Sequence, residues 1–223
     1  MGRVGTILGS NAIGPSGAEI VAVTEDNAEA VVLRHGVESY TPPHLIDHGA
    51  NLRRLAAAGC DRVLAIGSVG SLRTELGVGS FVCPDDFIAL QLSLTTFDDT
   101  RGHIPPGFDV RWRSAILDGW EASGAGAIED GGVYWQATGP RFETPAEIRL
   151  MAAHAHVVGM TLASECIVAN ELGIAYAAVC VVDNLANGIE DHAIEVEQLE
   201  DQRGRNAVAL RDALATLLPE LEG

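Results

Sequence analysis

Residues 174–182, which read IAYAAVCVV, are the most strand-like run of the chain and constrain its fold more than any other segment. A strand that is apolar at nearly every position is typical of a parallel sheet with helices on both faces. A second apolar run, residues 62–66, follows a helical pattern over 44–59 that has Gly59 at its C′ position. It ends in a Gly/Ser turn over 67–71, as the strands of βαβ units do. The sequence therefore predicts an α/β fold.

The rest of the chain shows the same alternation of elements. It predicts strands at 4–8, around Val21, at 29–33, as a pair over 80–90 and at 134–137. It predicts helices over 111–124, 145–155, 163–172 and about 195–218, and a Gly- and Pro-rich loop over 96–109. Since no repeat, low-complexity tract or linker divides these elements, we expect a single domain over residues 1–223.

Composition and charge argue against several classes of protein. The 223 residues are 47% hydrophobic, enough for a sizeable core, and carry a net charge of −17. Because no basic stripe is present to bind phosphates, we expect no nucleic-acid partner and interpret the acidity as a solvated surface. No apolar run approaches the roughly 18–20 residues of a membrane span, and no leader pattern opens the chain. We therefore expect a cytoplasmic protein with no membrane partner.

Four cysteines lie far apart in the sequence, at Cys60, Cys83, Cys166 and Cys180. They show neither CxxC spacing nor a pairing with histidines. We expect buried free thiols, as is usual in a reducing compartment.

Polar residues suited to binding an anion follow several predicted strands. Backbone N–H groups, hydroxyls and a guanidinium that converge at one edge of a sheet make a phosphate or oxyanion site without a Walker sequence. Each turn is a weak signal alone, because a Gly-Ser turn is usually only a turn. Together they predict an anion site formed by Ser10, Arg34, His35, Ser68 and Thr161.

A second group of residues carries acidic and aromatic side chains. Glu143 follows Phe142, but it also precedes Pro145 in a string typical of a helix start, so a purely structural role is equally consistent with the local sequence. Asp183 ends the long apolar strand, where a partly desolvated carboxyl can hold a proton near neutrality. Asp183 is therefore a candidate general acid.

Seven segments spread over residues 7–184 carry a family resemblance: ILGSNAI, LRHG followed by PPHLIDHGAN, AIGSVGSL, DDFI, ATGPRFETPAE, VVGMTLASE and AYAAVCVVDN. Together they resemble the trimeric purine nucleoside phosphorylase and methylthioadenosine phosphorylase family. The resemblance implies a twisted mixed β-sheet flanked by helices, a homotrimer, and inorganic phosphate as co-substrate. It implies neither a metal nor an organic cofactor.

The resemblance also assigns roles to residues of this chain. The predicted anion set matches the family's phosphate-binding residues. Phe142 resembles the residue that faces the purine, and Asp183 the residue at purine N7. Met160 resembles the residue along the ribose.

Four positions indicate which purine base and which 5′ substituent the substrate carries. Glu143 resembles the acid that accepts N1–H in enzymes for 6-oxopurines. Asp183 resembles the adenine-specific type, although Leu185 stands where that type has a second Asp. Val196, by a gap-free count, falls where a small apolar residue favours a 5′-methylthio group over a 5′-hydroxyl, unless it simply packs in the C-terminal helix.

We therefore expect phosphorolysis of 5′-methylthioadenosine or a related 5′-deoxy-5′-alkylthio nucleoside, with methylthioinosine close behind. The main alternative is a 6-oxopurine enzyme that uses inosine, guanosine or methylthioinosine. Departures from the family pattern at Ser39, Ala89 and the pair Asp47-His48 keep two further alternatives open, a nucleosidase that uses water and a non-catalytic nucleoside-binding protein.

Overall fold

The computed structural model describes residues 2–10, 15–22, 24–36, 39–190 and 196–222. Six α-helices lie in these ranges: α1 Pro15–Ala22, α2 His48–Ala57, α3 Val110–Ser123, α4 Pro145–Ala152, α5 Leu162–Glu171 and α6 Val196–Glu222. The strands in these ranges are β1 Arg3–Leu8, β2 Val31–Leu33, β3 Cys60–Ser71, β4 Phe81–Cys83, β5 Asp86–Ile88, β6 Ile128–Asp130, β7 Val133–Gln136, β8 Val157–Gly159 and β9 Ala175–Leu185.

Strand β3 is the centre of one mixed sheet. The main order is β5-β7-β8-β3-β9-β4-β6, and β1 joins the first half of β3 with β2 beside it. β1 and β9 run parallel to β3, whereas β8 pairs antiparallel with the last two residues of β3. The expected mixed sheet is confirmed, and the long β3–β9 pairing forms its core.

The residues of β9 alternate between two apolar layers. Tyr176, Ala178 and Cys180 pack with α2 and α5, whereas Ala177 and Val179 pack on the other face with α1, α3 and α6. This two-sided burial confirms the interpretation of the apolar run, and all four cysteines are buried free thiols as expected. Among the described helices, none combines the length and the apolarity that crossing a membrane requires.

Several element boundaries differ from the prediction. Val21 lies in α1 and not in a strand. β3 does not end at Gly67 but continues to Ser71, because Gly67 keeps an extended backbone at a close packing point, where an added Cβ would lie 2.9 Å from Cδ1 of Leu162. β9 likewise continues to Leu185, so Asp183 lies inside the strand.

Candidate active site

Asp183 lies at an irregularity in the central sheet. Val69 of β3 pairs with Val182, but the next residue, Gly70, pairs with Asn184, so Asp183 is the extra residue of a β-bulge. A bulge re-aims the side chain of its extra residue and is common beside active sites. Asp183 nevertheless lies on the same face of β9 as Ala177, Val179 and Val181, since it accepts a hydrogen bond from Asn206 of α6.

The Asp183 carboxyl is buried and held from two sides. Ser68 Oγ on β3 is hydrogen-bonded to Oδ2, and Asn206 Nδ2 on α6 donates to Oδ1 at 2.6 Å. The Asn206 amide also donates to the Val182 carbonyl at 3.2 Å. The side chain of Asp183 is therefore fixed by the strand and the helix on either side of it.

Sequence reasoning did not identify Asn206, although α6 carries a signal for it. Asn206 stands on the apolar stripe of this helix, in line with the buried Leu210 and Leu214 four and eight residues further on. A polar residue in such a stripe must find a hydrogen-bond partner when it is buried. The sequence marks Asn206 as unusual but does not name its partner.

Arg34 is buried in an ion-pair network. Its guanidinium donates to Glu165 through Nε at 2.5 Å and Nη2 at 2.8 Å, and its Nη1 donates to the Ile66 carbonyl at 2.8 Å. Tyr176 donates its hydroxyl to the same carboxylate at 2.7 Å, and His48 Nδ1 lies 3.7 Å from Glu165 Oε1. Burial alone would raise the pKa of Glu165, but the charge and hydrogen bonds of Arg34 hold it at about 2. The Arg34 guanidinium is therefore already paired with Glu165 within the chain.

The central sheet separates this network from Asp183. Glu165 belongs to α5, which packs on one face, whereas Asn206 belongs to α6, which packs on the other. The structure brings Ser68 and Asp183 together. It places Arg34 against the neighbouring stretch of β3, with the guanidinium turned toward Glu165.

The first turn of α5 supplies few free amides for an anion. The N–H groups of Thr161 and Leu162 donate to the Tyr134 hydroxyl at 3.1 and 3.3 Å, and the Ser164 N–H donates to Gln136 Oε1 at 3.0 Å. Within the described residues, the Thr161 side chain makes no hydrogen bond that caps its own helix. Any contact of Thr161 with phosphate would thus come from its hydroxyl and not from this helix start.

His35 and Ser10 complete the predicted phosphate set. The His35 ring stacks on Tyr40 with centroids 5.2 Å apart, and its Nδ1 lies 2.9 Å from the Thr41 carbonyl. Since a carbonyl only accepts, Nδ1 carries the proton and Nε2 is the acceptor when the ring is neutral. Ser10 follows β1 and is half-buried, next to a segment outside the described residues.

The segment that leads to the predicted base residues Phe142 and Glu143 passes beside the predicted ribose residue Met160. The Ala137 N–H donates to the Gly159 carbonyl at 2.8 Å, which brings the 137–143 segment beside Met160. At Gly139 (φ +63) an added Cβ would lie 2.5 Å from Met160 Sδ, so this close approach requires glycine. The loop after β9 reaches the same place, because Asn187 donates to the carbonyl of Glu143 at 2.9 Å.

Phe142 and Glu143 differ sharply in exposure. Phe142 is 42% exposed, whereas Glu143 is buried, with only 7% of its surface exposed. Burial raises the pKa of the Glu143 carboxyl, and Arg141 offsets this only in part because it pairs with Glu147. A buried carboxyl of this kind is suited to accept a hydrogen bond from an incoming N–H group.

The alternative role for Glu143 as the first-turn acid of a helix belongs to another residue. Thr144 is the N-cap of α4, Pro145 is its first residue, and Glu147 completes a capping box with Thr144.

The remaining predicted positions are less informative. Leu185 ends β9 and is half-buried, and Val196 begins α6 with a side chain outside the described part of the chain.

A family model described as the phosphorylase superfamily matches residues 9–219, and the chain therefore belongs to this superfamily. One curated relative, named a probable 6-oxopurine nucleoside phosphorylase, from Archaeoglobus fulgidus, is 39% identical over 178 residues, which cover 80% of this chain and 73% of that protein. Another, named a probable S-methyl-5′-thioinosine phosphorylase, from Xanthomonas campestris, is 33% identical over 217 residues and covers 94% and 84%.

The fold is also that of solved phosphorylase structures. Methylthioadenosine phosphorylase from Schistosoma mansoni in complex with adenine matches with a TM-score of 0.79 at 21% identity, over 97% of this chain and 91% of that chain. At this identity the likeness shows the fold, which confirms the predicted architecture of a mixed sheet flanked by helices.

Proposed function

We propose that this chain catalyses the phosphorolysis of the N-glycosidic bond of a purine nucleoside, giving the free purine and a ribose 1-phosphate. Membership of the phosphorylase superfamily and the names of the relatives support this reaction class. The observation that carries the proposal in the structure is the buried Asp183 carboxyl, set at a bulge and held by Ser68 and Asn206.

In the proposed reaction, a phosphate oxygen bonds to the anomeric carbon while the bond from that carbon to purine N9 breaks. The electron pair of the broken bond goes to the purine, and the sugar passes through an oxocarbenium-like state that the nearby phosphate stabilises. Asp183 donates a proton to N7, so the base leaves neutral. The hydroxyls of Ser10 and Thr161 and the ring of His35 are proposed to contact phosphate, and Arg34 would do so by exchanging its Glu165 partner for the anion.

For the base, we propose a 6-oxopurine. Its N1–H would donate to the buried carboxylate of Glu143, which a 6-aminopurine, having no hydrogen on N1, cannot satisfy in the same way. Both curated relatives described above carry a 6-oxopurine nucleoside in their names, which supports the same choice. This reverses the order expected from the sequence, in which methylthioadenosine stood slightly ahead. Methylthioadenosine is the second candidate, because Asp183 is a carboxyl where the 6-oxopurine type has an amide.

For the sugar, we propose a 5′-methylthio group as the preferred substituent, which makes 5′-methylthioinosine the first substrate to test. The apolar side chain of Val196 supports this choice, since it would leave a 5′-hydroxyl without a partner.

The assembly is proposed to be a homotrimer, in which a neighbouring copy would close the 5′ end of the site. Light scattering coupled to size exclusion tests the assembly, and a monomeric mass would contradict it.

A panel of nucleosides tests the function. Methylthioinosine, inosine, guanosine and methylthioadenosine are each incubated with the protein, with and without phosphate, and the released base is measured by chromatography. We expect hypoxanthine release that requires phosphate and is faster from methylthioinosine than from inosine. Equal release without phosphate would identify a nucleosidase, and binding without cleavage of all four would identify a non-catalytic binding protein.

A further inference from the structure

A chain of hydrogen bonds on α6 runs from the protein surface to the Asp183 carboxyl. Arg205, which is exposed, donates to Gln202 Oε1 through Nε at 3.0 Å and Nη2 at 2.6 Å. Gln202 Nε2 donates to Asn206 Oδ1 at 2.8 Å, and Asn206 Nδ2 donates to Asp183 Oδ1 at 2.6 Å. Spacings of three and four residues put these three side chains on one face of the helix.

The chemistry of the first donor fixes the direction of every later hydrogen bond. A guanidinium only donates, so the oxygen of the Gln202 amide must face Arg205 and its nitrogen must face Asn206. The Asn206 oxygen therefore accepts from Gln202, and its nitrogen is turned toward Asp183. The Val182 carbonyl, which only accepts, receives the same Asn206 nitrogen at 3.2 Å and so favours the same orientation.

This orientation decides which oxygen of Asp183 can carry a proton. Oδ1 accepts from an N–H donor, and the unprotonated oxygen of a carboxyl is the better acceptor, so the contact favours a proton on Oδ2, beside the hydroxyl of Ser68. Ser68 donates to Oδ2, and it can keep donating to a lone pair of this oxygen when Oδ2 carries a proton, which leaves that proton available to purine N7.

We propose that Asn206 is a positioning residue, oriented by Gln202 and Arg205, that confines the proton of Asp183 to Oδ2 and so directs it to the departing purine. The proposal rests on the function proposed above and extends it to three residues that do not touch the reacting atoms. Within that reaction, the bond from Oδ2 to hydrogen breaks, a bond from hydrogen to purine N7 forms, and the carboxylate left behind keeps the Asn206 hydrogen bond.

Replacement of Asn206 tests the positioning role. Asn206→Leu keeps the approximate volume and removes the donor, and we expect kcat to fall at least about tenfold, the size of one charge-assisted hydrogen bond, with KM within about twofold. A thermal unfolding curve checks that the variant is folded. A rise in KM with unchanged kcat would overturn the positioning role.

Two replacements of Gln202 separate orientation from simple packing. Gln202→Leu removes the constraint, yet the Val182 carbonyl still favours the native orientation of Asn206. Gln202→Glu keeps the Arg205 pair but offers Asn206 only acceptor oxygens, which favours a turned amide with its oxygen toward Asp183. We expect kcat to fall further in Gln202→Glu than in Gln202→Leu, and Gln91→Glu, an exposed change of the same kind, to leave it unchanged. Equal kcat in the two Gln202 variants would overturn the proposal.

A measurement without any nucleoside distinguishes this proposal from the proposed function. In 15N-labelled protein, the side-chain amide resonance of Asn206, assigned by its loss in Asn206→Leu, is expected to shift in Asp183→Ala and in Gln202→Glu but not in Gln91→Glu. If the wild-type protein cleaves no nucleoside, the proposed function fails while this test still decides the hydrogen-bond chain. An Asn206 resonance that is unmoved in Asp183→Ala and Gln202→Glu would refute the chain even in an active enzyme.

Discussion

Ser68 of β3 and Asp183 of β9 are hydrogen-bonded across the sheet at the point where the register of the two strands shifts. The sequence assigned these residues to different parts of the site, Ser68 to phosphate and Asp183 to the base. Because the Ser68 hydroxyl and the Asp183 carboxyl are in contact, a ligand that binds either side chain also changes the hydrogen bonding of the other. It also places the candidate acid beside Ser68, one member of the predicted phosphate set, whereas Arg34 is turned toward Glu165.

Removal of the acid should slow the chemical step. In Asp183→Ala, we expect kcat to fall by about 10²–10⁴-fold, the usual contribution of a general acid, with a much smaller change in KM. Initial rates of base release over a range of nucleoside concentrations give both constants. An altered KM with normal kcat would show that Asp183 only binds the substrate.

Glu143 should link base recognition to pH. Because burial raises the pKa of this carboxyl, it becomes protonated at a higher pH than an exposed glutamate and then no longer accepts N1–H. We expect kcat/KM for methylthioinosine to fall as the pH drops through this raised pKa. The fall should be absent in Glu143→Gln, whose activity on this substrate is low at every pH. The same acid limb in the variant would assign the titration to another group.

The same pKa shift has a consequence for stability. Between the ordinary pKa of glutamate and the raised value, the folded protein holds a proton that the unfolded chain has lost, so Glu143 destabilises the fold as the pH rises through this window. We expect Glu143→Gln to have a higher Tm than the wild type above the window, and the difference to disappear below it. Calorimetric scans at several pH values measure this effect.

Breaking the buried Arg34–Glu165 pair should destabilise the fold strongly. Glu165→Gln leaves the buried guanidinium without a counter-charge and is expected to lower the free energy of unfolding by about 3–5 kcal/mol. The pKa of Glu165 is lowered from 4.5 to about 2, so its contribution is complete above 4.5 and is lost as the pH falls toward 2. Urea unfolding at pH 7 and at lower pH follows the difference between variant and wild type. Glu147→Gln, at an exposed ion pair, is the matched control and should change stability far less.

Gly67 should tolerate no side chain. In Gly67→Ala the new Cβ would approach the buried Leu162 to 2.9 Å, and we expect a loss of about 1–3 kcal/mol in the free energy of unfolding. Gly77→Ala is the control, because an added Cβ there meets no atom of the described residues within 4 Å. Equal stability of the two variants would show that Leu162 moves aside at little cost.

The sequence was sufficient to predict the parts of the fold that depend on local pattern. The apolar runs in β3 and β9 and the C′ position of Gly59 follow from periodicity and backbone preference, and Gly59 has the expected positive φ of +82. The end of β3 was predicted wrongly because Gly67 serves there to admit Leu162 in an extended strand, and a glycine of that kind has the same local sequence as one in a turn.

The geometry of the site depends on contacts between distant parts of the chain, which local pattern does not contain. Arg34 was identified as a cation suited to phosphate, but its partner Glu165 lies 131 residues away. The bulge at Asp183 likewise arises only when β3 and β9 pair, and the approach of Asn206 only when α6 packs on β9.

The most direct test of the central claim follows phosphate and base in the same sample. Wild-type protein is mixed with 5′-methylthioinosine and inorganic phosphate, the sugar phosphate is followed by 31P NMR, and hypoxanthine is followed by chromatography. We predict a new sugar 1-phosphate signal that grows in a one-to-one ratio with hypoxanthine and is nearly abolished in Asp183→Ala. Hypoxanthine released without consumption of phosphate, or the same rate in Asp183→Ala, would contradict the account.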